Sequence, residues 1–340
     1  MEKIKTVLFI DNTYRKPYQV STLDTQAIGG TESSVIKTAI ILSKKYRVFV
    51  AQKFRTEFCF ESENLQFVPK QHINKITPDF IVLLRKYPLL KDLKKQFPKA
   101  KLFLWLHTYK NTEYAFKRFG LNKTNTTVVC NSKTHAKHTD KLLNGTILGK
   151  LYSTILTPSV VTYCYNPVEN PKIKCSKKDI NKLLFFSSPN KGLKQIVDCF
   201  LEINKAIPEL KFYIANPGYK KGEMINYNAN ITILGSLPHK KIMKHVCRSL
   251  CVFYPQDSFA ETFGLIYAEA NAHRTAVLAH DIGSAREILS KNNKLIDANN
   301  YAEIIQTIKD WQHNYPQITY NQLFSDKAIL QQWETCFNMK

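Results

Sequence analysis

The chain has 340 residues, 44% of them apolar, with 49 Lys/Arg against 27 Asp/Glu for a net charge of +22. That length suits two domains of ordinary size. No run of about eighteen apolar residues occurs, so no membrane-spanning helix is expected.

In chain order, the first element is an apolar run at residues 6–10. It is too short for a signal peptide and Asp11 closes it, so it reads as a buried strand. A loop containing Gly29 and Gly30 follows, with a helix over residues 31–45. Further strands are predicted at residues 47–51, 80–84, 101–106 and 127–130, with a helix at 87–96. Near-continuous apolar runs, rather than alternation, indicate strands buried on both faces of a parallel sheet. A segment with two prolines and two asparagines, around residues 160–172, reads as a linker. The second half repeats the theme. Strands are predicted at 183–186, 210–215, 231–234, 251–254 and 276–279, and helices at 190–206 and 239–247. This alternation predicts a doubly wound α/β fold in each half. The tail from Tyr301 onward reads as helical and aromatic.

Eight cysteines are scattered, and none forms a C-x2-C pair, so free and mostly buried thiols are expected and no metal site is. With no signal segment and no membrane span, the reading is a cytoplasmic protein. The charge is uneven. Residues 1–165 carry 27 Lys/Arg against 11 Asp/Glu, a net of +16, and residues 166–340 carry 22 against 16, a net of +6. Such a field attracts anionic partners. An anionic membrane face, touched peripherally, is the expected one, at about 1 kcal/mol per nearby lysine. No RNA-binding signature, zinc finger or helix-turn-helix is present, which disfavours nucleic acid.

The most informative chemistry lies in S258-F-A-E-T-F-G-L-I-Y-A-E-A-N-A. Glu261 follows an apolar run, and Glu269 sits eight residues on, inside an apolar stretch that reads as a helix. Gly264 stands at the helix start, where free backbone N–H groups and the helix dipole favour an anion. Two carboxylates beside an anion site suit a ligand that is part sugar and part phosphate.

This segment resembles the E-x7-E signature of retaining family-4 glycosyltransferases. The resemblance implies a GT-B fold, two Rossmann-like doubly wound domains facing a cleft. It divides the chain into an acceptor-side domain (1–165), a nucleotide-sugar domain (166–320) and a final helix (321–340) packing back on the first domain. By position, Glu261 would meet the sugar hydroxyls, Glu269 the ribose hydroxyls, and the backbone of Phe263, Gly264 and Leu265 the phosphates. Lys191, in S187-S-P-N-K-G, would neutralise the donor diphosphate; the arginine many relatives carry just before it is replaced by serine here. His107, at the end of a strand, corresponds to a family histidine close to the transferred sugar. Gly29, Gly30 and Gly235 match glycine positions near the donor, and Glu32 matches the acid of a G-G-x-E pattern. Arg274 stands where the family has a glycine just past a helix, a position where a non-glycine costs about 1 kcal/mol unless it has a task such as pairing with phosphate.

The implied activity is transfer of a sugar from a nucleotide-sugar donor, UDP-sugar ahead of GDP-sugar, to a hydroxyl of a glycan, glycolipid or protein acceptor. The nucleotide sugar is a substrate and no cofactor is implied. No D-x-D pair is present, which argues against the metal-dependent chemistry of the other large glycosyltransferase fold. The alternatives are another GT-B enzyme, such as a nucleotide-sugar epimerase, and a non-catalytic module that binds anionic surfaces.

Overall fold

The structure is a computed structural model that describes residues 3–145, 157–171, 177–216 and 228–339. The chain divides into two compact units. Unit 1 comprises Met1–Val20, Thr31–Pro167 and Asp326–Lys340; unit 2 comprises Ser21–Gly30 and Val168–Ser325.

The sheet of unit 1 contains β1 (Thr6–Asp11), β2 (Arg47–Gln52), β3 (Cys59–Ser62), β4 (Leu65–Pro69), β5 (Phe80–Leu84), β6 (Lys101–Trp105), β7 (Thr126–Cys130) and β8 (Val161–Tyr163). Their spatial order is β3-β4-β2-β1-β5-β6-β7-β8. Only the β3–β4 pair at one edge is antiparallel. β5 is buried at every residue and β1 at all but its first, as expected for strands covered on both faces. The β3–β4 hairpin and β8 are additions to the predicted set. β3 is short and carries Phe60, which is exposed, so its pattern has no buried face to reveal it.

The sheet of unit 2 contains β9 (Asp179–Phe186), β10 (Lys211–Asn216), β11 (Ile231–Ser236), β12 (Ser249–Tyr254), β13 (Ala276–Ala279) and β14 (Lys294–Leu295), in the order β11-β10-β9-β12-β13-β14. All its pairings are parallel. In both sheets the winding reverses once, between β1 and β5 in unit 1 and between β9 and β12 in unit 2. At such a reversal the loops leaving the carboxyl ends of two neighbouring strands diverge and open a crevice.

The helix Asp326–Asn338 belongs to unit 1, where aromatic packing holds it. Trp333 is fully buried with its ring 5.1 Å from Trp105 and 6.1 Å from Phe9. Phe337 stacks on Phe80 at 4.3 Å. Truncating Trp333 to alanine would cost about 3–5 kcal/mol. In unit 2 the helix Leu193–Ala206 buries Ile196, Val197, Phe200 and Ile203, the spacing of a single apolar stripe. Phe200 meets Phe212 of β10 at 5.2 Å. Among the described residues six cysteines are free thiols, whereas Cys247 is disulfide-bonded, which corrects the expectation of free thiols at that position.

Candidate active site

The unit 2 reversal is built from the loops after β9 and β12. After β9 the chain turns through Ser187–Lys191 into the helix Leu193–Ala206, and Gly192 caps that helix in the left-handed region. A Cβ there would stand 2.7 Å from the Cβ of Gln256, so the two loops pack backbone to side chain at this point. Gln256 is fully buried. Its Oε1 accepts from the Phe259 N–H at 2.8 Å and the Ser258 hydroxyl at 3.1 Å, and its Nε2 donates to the Phe259 carbonyl at 2.9 Å. This fixes Phe259, whose ring lies 4.9 Å from the Lys191 ammonium.

Lys191 Nζ donates to both oxygens of Glu261, at 2.8 and 3.0 Å. Tyr254, the last residue of β12, donates its hydroxyl to Glu261 Oε1 at 3.1 Å. Burial, and next the Glu261 charge, push the Tyr254 phenol well above its ordinary range, so it stays a donor. The backbone of Glu261 is gripped from the loop after β13. The Ser284 N–H donates to the Glu261 carbonyl at 3.0 Å and the Ser284 hydroxyl to the Phe263 carbonyl at 2.8 Å.

The helix Leu265–Ala272 starts at Gly264, which has φ 79° and ψ 72°. A side chain there would collide with the Tyr267 ring, 2.3 Å from a would-be Cβ, so left-handed geometry and space both demand glycine. Phe263 is buried against Phe324, with ring centroids 5.0 Å apart; its side chain packs while its backbone leads into the helix. Leu265 is half-buried, and its Cδ1 lies 2.9 Å from a would-be Cβ on Gly30. Gly29 and Gly30 close the short segment of unit 2 that precedes the helix Gly30–Leu42. Glu269 is buried in the Leu265–Ala272 helix and accepts from His239 Nε2 at 2.8 Å.

Lys191 and Glu261 are therefore joined directly, and Glu269 projects from the helix that follows Glu261. Two predicted residues lie elsewhere. Arg274 sits past the far end of that helix, where its Nη1 donates to the carbonyls of Asn271 and Ala272 at 3.3 Å each. Gly235 is in β11, an edge strand, with φ 68°. Lys194 pairs with Asp198 on the exposed face of its helix.

The unit 1 reversal gathers the ends of β1 and β5. Asp11 accepts from the Thr13 N–H and hydroxyl, at 2.8 and 2.7 Å, and from the Tyr18 hydroxyl at 3.1 Å. Arg85 follows β5 in the left-handed region, φ 59°. Its Nη2 donates to Thr13 Oγ1 at 2.5 Å and to Glu32 Oε1 at 3.0 Å. Burial raises the Glu32 carboxyl above its ordinary value, and Arg85 opposes that rise. On the next strand, His107 follows β6 and packs at a tilt against Trp105, with ring centroids 4.5 Å apart. Burial holds His107 well below its usual value, with Arg85, His135 and Lys110 adding to the effect.

Sequence reasoning missed Arg85, Tyr254, Gln256 and His239. Arg85 had a usable signal, since it follows an apolar run as His107 does. His239 had none, because it heads a helix whose pattern is that of a solvated surface.

Two sheets of mainly parallel strands, each with its polar groups at the reversal, define a GT-B protein. Over the whole chain the fold is that of a sucrose-phosphate synthase from Thermosynechococcus elongatus, with a TM-score of 0.67, 12% identity and 98% of each chain covered. It is also that of HepE from Anabaena in complex with UDP-glucose, with a TM-score of 0.64, 15% identity, and 98% of this chain and 100% of that one covered. AviGT4, a glycosyltransferase involved in avilamycin A biosynthesis, gives a TM-score of 0.63 at 11% identity, with 98% and 97% covered. No sequence among curated proteins matches the chain. Residues 171–326 match the family model described as Glycosyl transferases group 1. That matched segment contains Lys191, Glu261, Glu269 and the reversal between β9 and β12.

Proposed function

We propose that the protein is a retaining glycosyltransferase that moves a hexosyl group from a nucleotide sugar to an acceptor hydroxyl. The single observation that carries this is the Lys191–Glu261 pair at the strand reversal of the matched segment. An ammonium there can leave one carboxylate and take a diphosphate, and a carboxylate there can accept from sugar hydroxyls. Glu269 is assigned to the ribose hydroxyls, and the N–H groups after Gly264 to the phosphates. The unit 1 group around Glu32, Arg85 and His107 is assigned to the acceptor and to the transferred sugar.

In this reading the bond from the anomeric carbon to the phosphate oxygen breaks while the acceptor oxygen forms a new bond on the same face. The departing phosphate oxygen takes the acceptor proton. Lys191 stabilises the charge that grows on the diphosphate, a role that needs no metal ion. UDP-sugar is the favoured donor, supported by the UDP-glucose bound to HepE. The acceptor is a glycan, glycolipid or protein. The excess charge of residues 1–165 supports a cytoplasmic site of action beside an anionic membrane.

The test is nucleotide release from a panel of UDP- and GDP-sugars, with and without acceptor, in the presence of chelator. UDP release that needs an acceptor and survives chelation supports the reading, and an anomeric assignment of the product decides retention. Glu269→Ala is expected to raise donor KM, and Glu261→Ala to lower kcat. Unchanged kinetics in both removes the assignment, and donor conversion without acceptor points to an epimerase.

A further inference from the structure

The segments after β6 and β7 are linked by hydrogen bonds whose polarity is fixed by chemistry. An indole N–H can only donate. Trp105 Nε1 donates to Asn131 Oδ1 at 2.9 Å, so the other end of that amide is its NH2 group. Asn131 Nδ2 stands 3.2 Å from His107 Nδ1, so Nδ1 is the acceptor. A neutral imidazole that accepts at Nδ1 carries its proton on Nε2. The backbone N–H of Asn131 acts the same way on His135, donating to its Nδ1 at 3.3 Å. His135 Nε2 then donates to the Thr108 carbonyl at 3.2 Å, which holds the backbone beside His107. One asparagine thereby sets the tautomer of two histidines. Trp105, Asn131 and His135 are all buried, so water does not compete for these bonds.

We propose that Asn131 is a positioning residue that locks His107 as a neutral Nε2–H donor, and that His107 binds an oxygen of the transferred sugar by donating a hydrogen bond rather than by taking up a proton. The identity of that oxygen rests on the glycosyl-transfer reading, whereas the tautomer does not. Among the described residues, the charged and titratable groups that shift His107 are Arg85, His135 and Lys110. None is a carboxylate that would hold a proton on Nδ1.

The test uses the full chain with 15N-labelled histidine and long-range 15N–1H correlation spectra, the His107 signals being assigned by their loss in His107→Gln. The expected pattern is a neutral Nε2–H ring that does not titrate between about pH 6 and about pH 8. An Nδ1–H pattern, or titration in that range, overturns the proposal. Asn131→Asp keeps the shape but replaces the donor with an acceptor, while Trp105 still donates to the other oxygen. His107 should then hold its proton on Nδ1 and begin to titrate. Transfer by Asn131→Asp should fall at least about tenfold near pH 8, where Nε2 is bare, and recover toward pH 6, where the ring gains a second proton. An Asn131→Asp protein that retains the Nε2–H pattern refutes the positioning role. If that variant does not fold, Trp105→Phe frees the amide to flip and should give a mixture of tautomers; a single Nε2–H form would overturn the proposal equally. A wild-type protein without transferase activity would remove the sugar from the account, and the spectra would still decide the tautomer.

Discussion

Each unit places one buried glutamate against one cation where its strand order reverses, and the two pairs are almost equally shielded. The side chains of Arg85 and Glu32 are 25% and 6% exposed, and those of Lys191 and Glu261 are 24% and 8% exposed. Side-chain exposure therefore does not distinguish them. The cations do. The guanidinium of Arg85 reaches Thr13 and Thr31 as well as Glu32, and its backbone is held in the left-handed region. The ammonium of Lys191 gives its hydrogen bonds to the two oxygens of one carboxylate and rests on the Phe259 ring. A planar fork spread over several partners is a fixed strut, whereas a point charge on a flexible stem can exchange one anion for another. This contrast predicts that the first pair stays closed and the second opens for a ligand.

Removing each cation in turn is the sharpest way to break this contrast. Arg85→Met should destabilise unit 1 by about 3–5 kcal/mol, because Glu32 is left buried without its ion partner. Lys191→Met should cost less stability, since Tyr254 still donates to Glu261. Its main effect should be a fall in kcat of about a hundredfold to a thousandfold, as for other lost transition-state donors. Denaturant unfolding and steady-state kinetics on both variants decide the matter. If Lys191→Met unfolds like Arg85→Met and keeps its kcat, both pairs are struts.

A second difference concerns pH. The unit 1 site is braced by His135, whose burial lowers its pKa from 6.5 to about 4. A group depressed in the fold binds more protons when unfolded, so its contribution to stability is full above about pH 6.5 and is lost as pH falls toward 4. The size is on the order of 3 kcal/mol. His135→Gln should flatten that part of the stability curve. Equal pH dependence in wild type and variant would show that the neutral, buried imidazole has been misassigned.

The brace on the unit 2 site is backbone instead. Gly283 has φ 62°, and a Cβ there would stand 2.6 Å from the Glu261 carbonyl oxygen and 2.9 Å from its nitrogen. Gly283→Ala should cost about 1–3 kcal/mol through strain, and should shift Glu261 relative to Lys191. Thermal unfolding together with donor KM tests both; unchanged values would mean that the loop after β13 does not hold Glu261.

These braces show where reading the sequence succeeds. The alternation of apolar runs made the parallel strands legible, because burial on both faces leaves a continuous signal. Glu261 and Glu269 stood out because charged residues beside or inside apolar stretches demand a reason, and Lys191 because its turn resembles a family motif. Arg85, Gln256 and Asn131 did not, since their roles come from residues tens of positions away: Thr13 and Glu32 for Arg85, Gly192 for Gln256, and Trp105 for Asn131. The β3–β4 hairpin escaped for the opposite reason, since a short edge strand has little pattern to read.

Arg274 is where sequence and structure meet most closely, and it carries the smallest prediction. A non-glycine after the Leu265–Ala272 helix implies either a different turn or a task for the side chain. The turn is the left-handed one, with φ 55°, so the strain of about 1 kcal/mol is present. Its guanidinium makes three long bonds, at 3.3 Å to each of the Asn271 and Ala272 carbonyls and at 3.4 Å to Asn170 Oδ1, which favours a capping task at the far end of the helix. Bonds of that length contribute less than a well-formed pair, and water can replace them at an exposed residue. Arg274→Gly should therefore leave stability unchanged or raise it by up to about 1 kcal/mol, with donor KM unaffected. A clear rise in donor KM would place Arg274 on the phosphates, and a loss of more than about 1 kcal/mol would make the cap worth more than the strain it relieves.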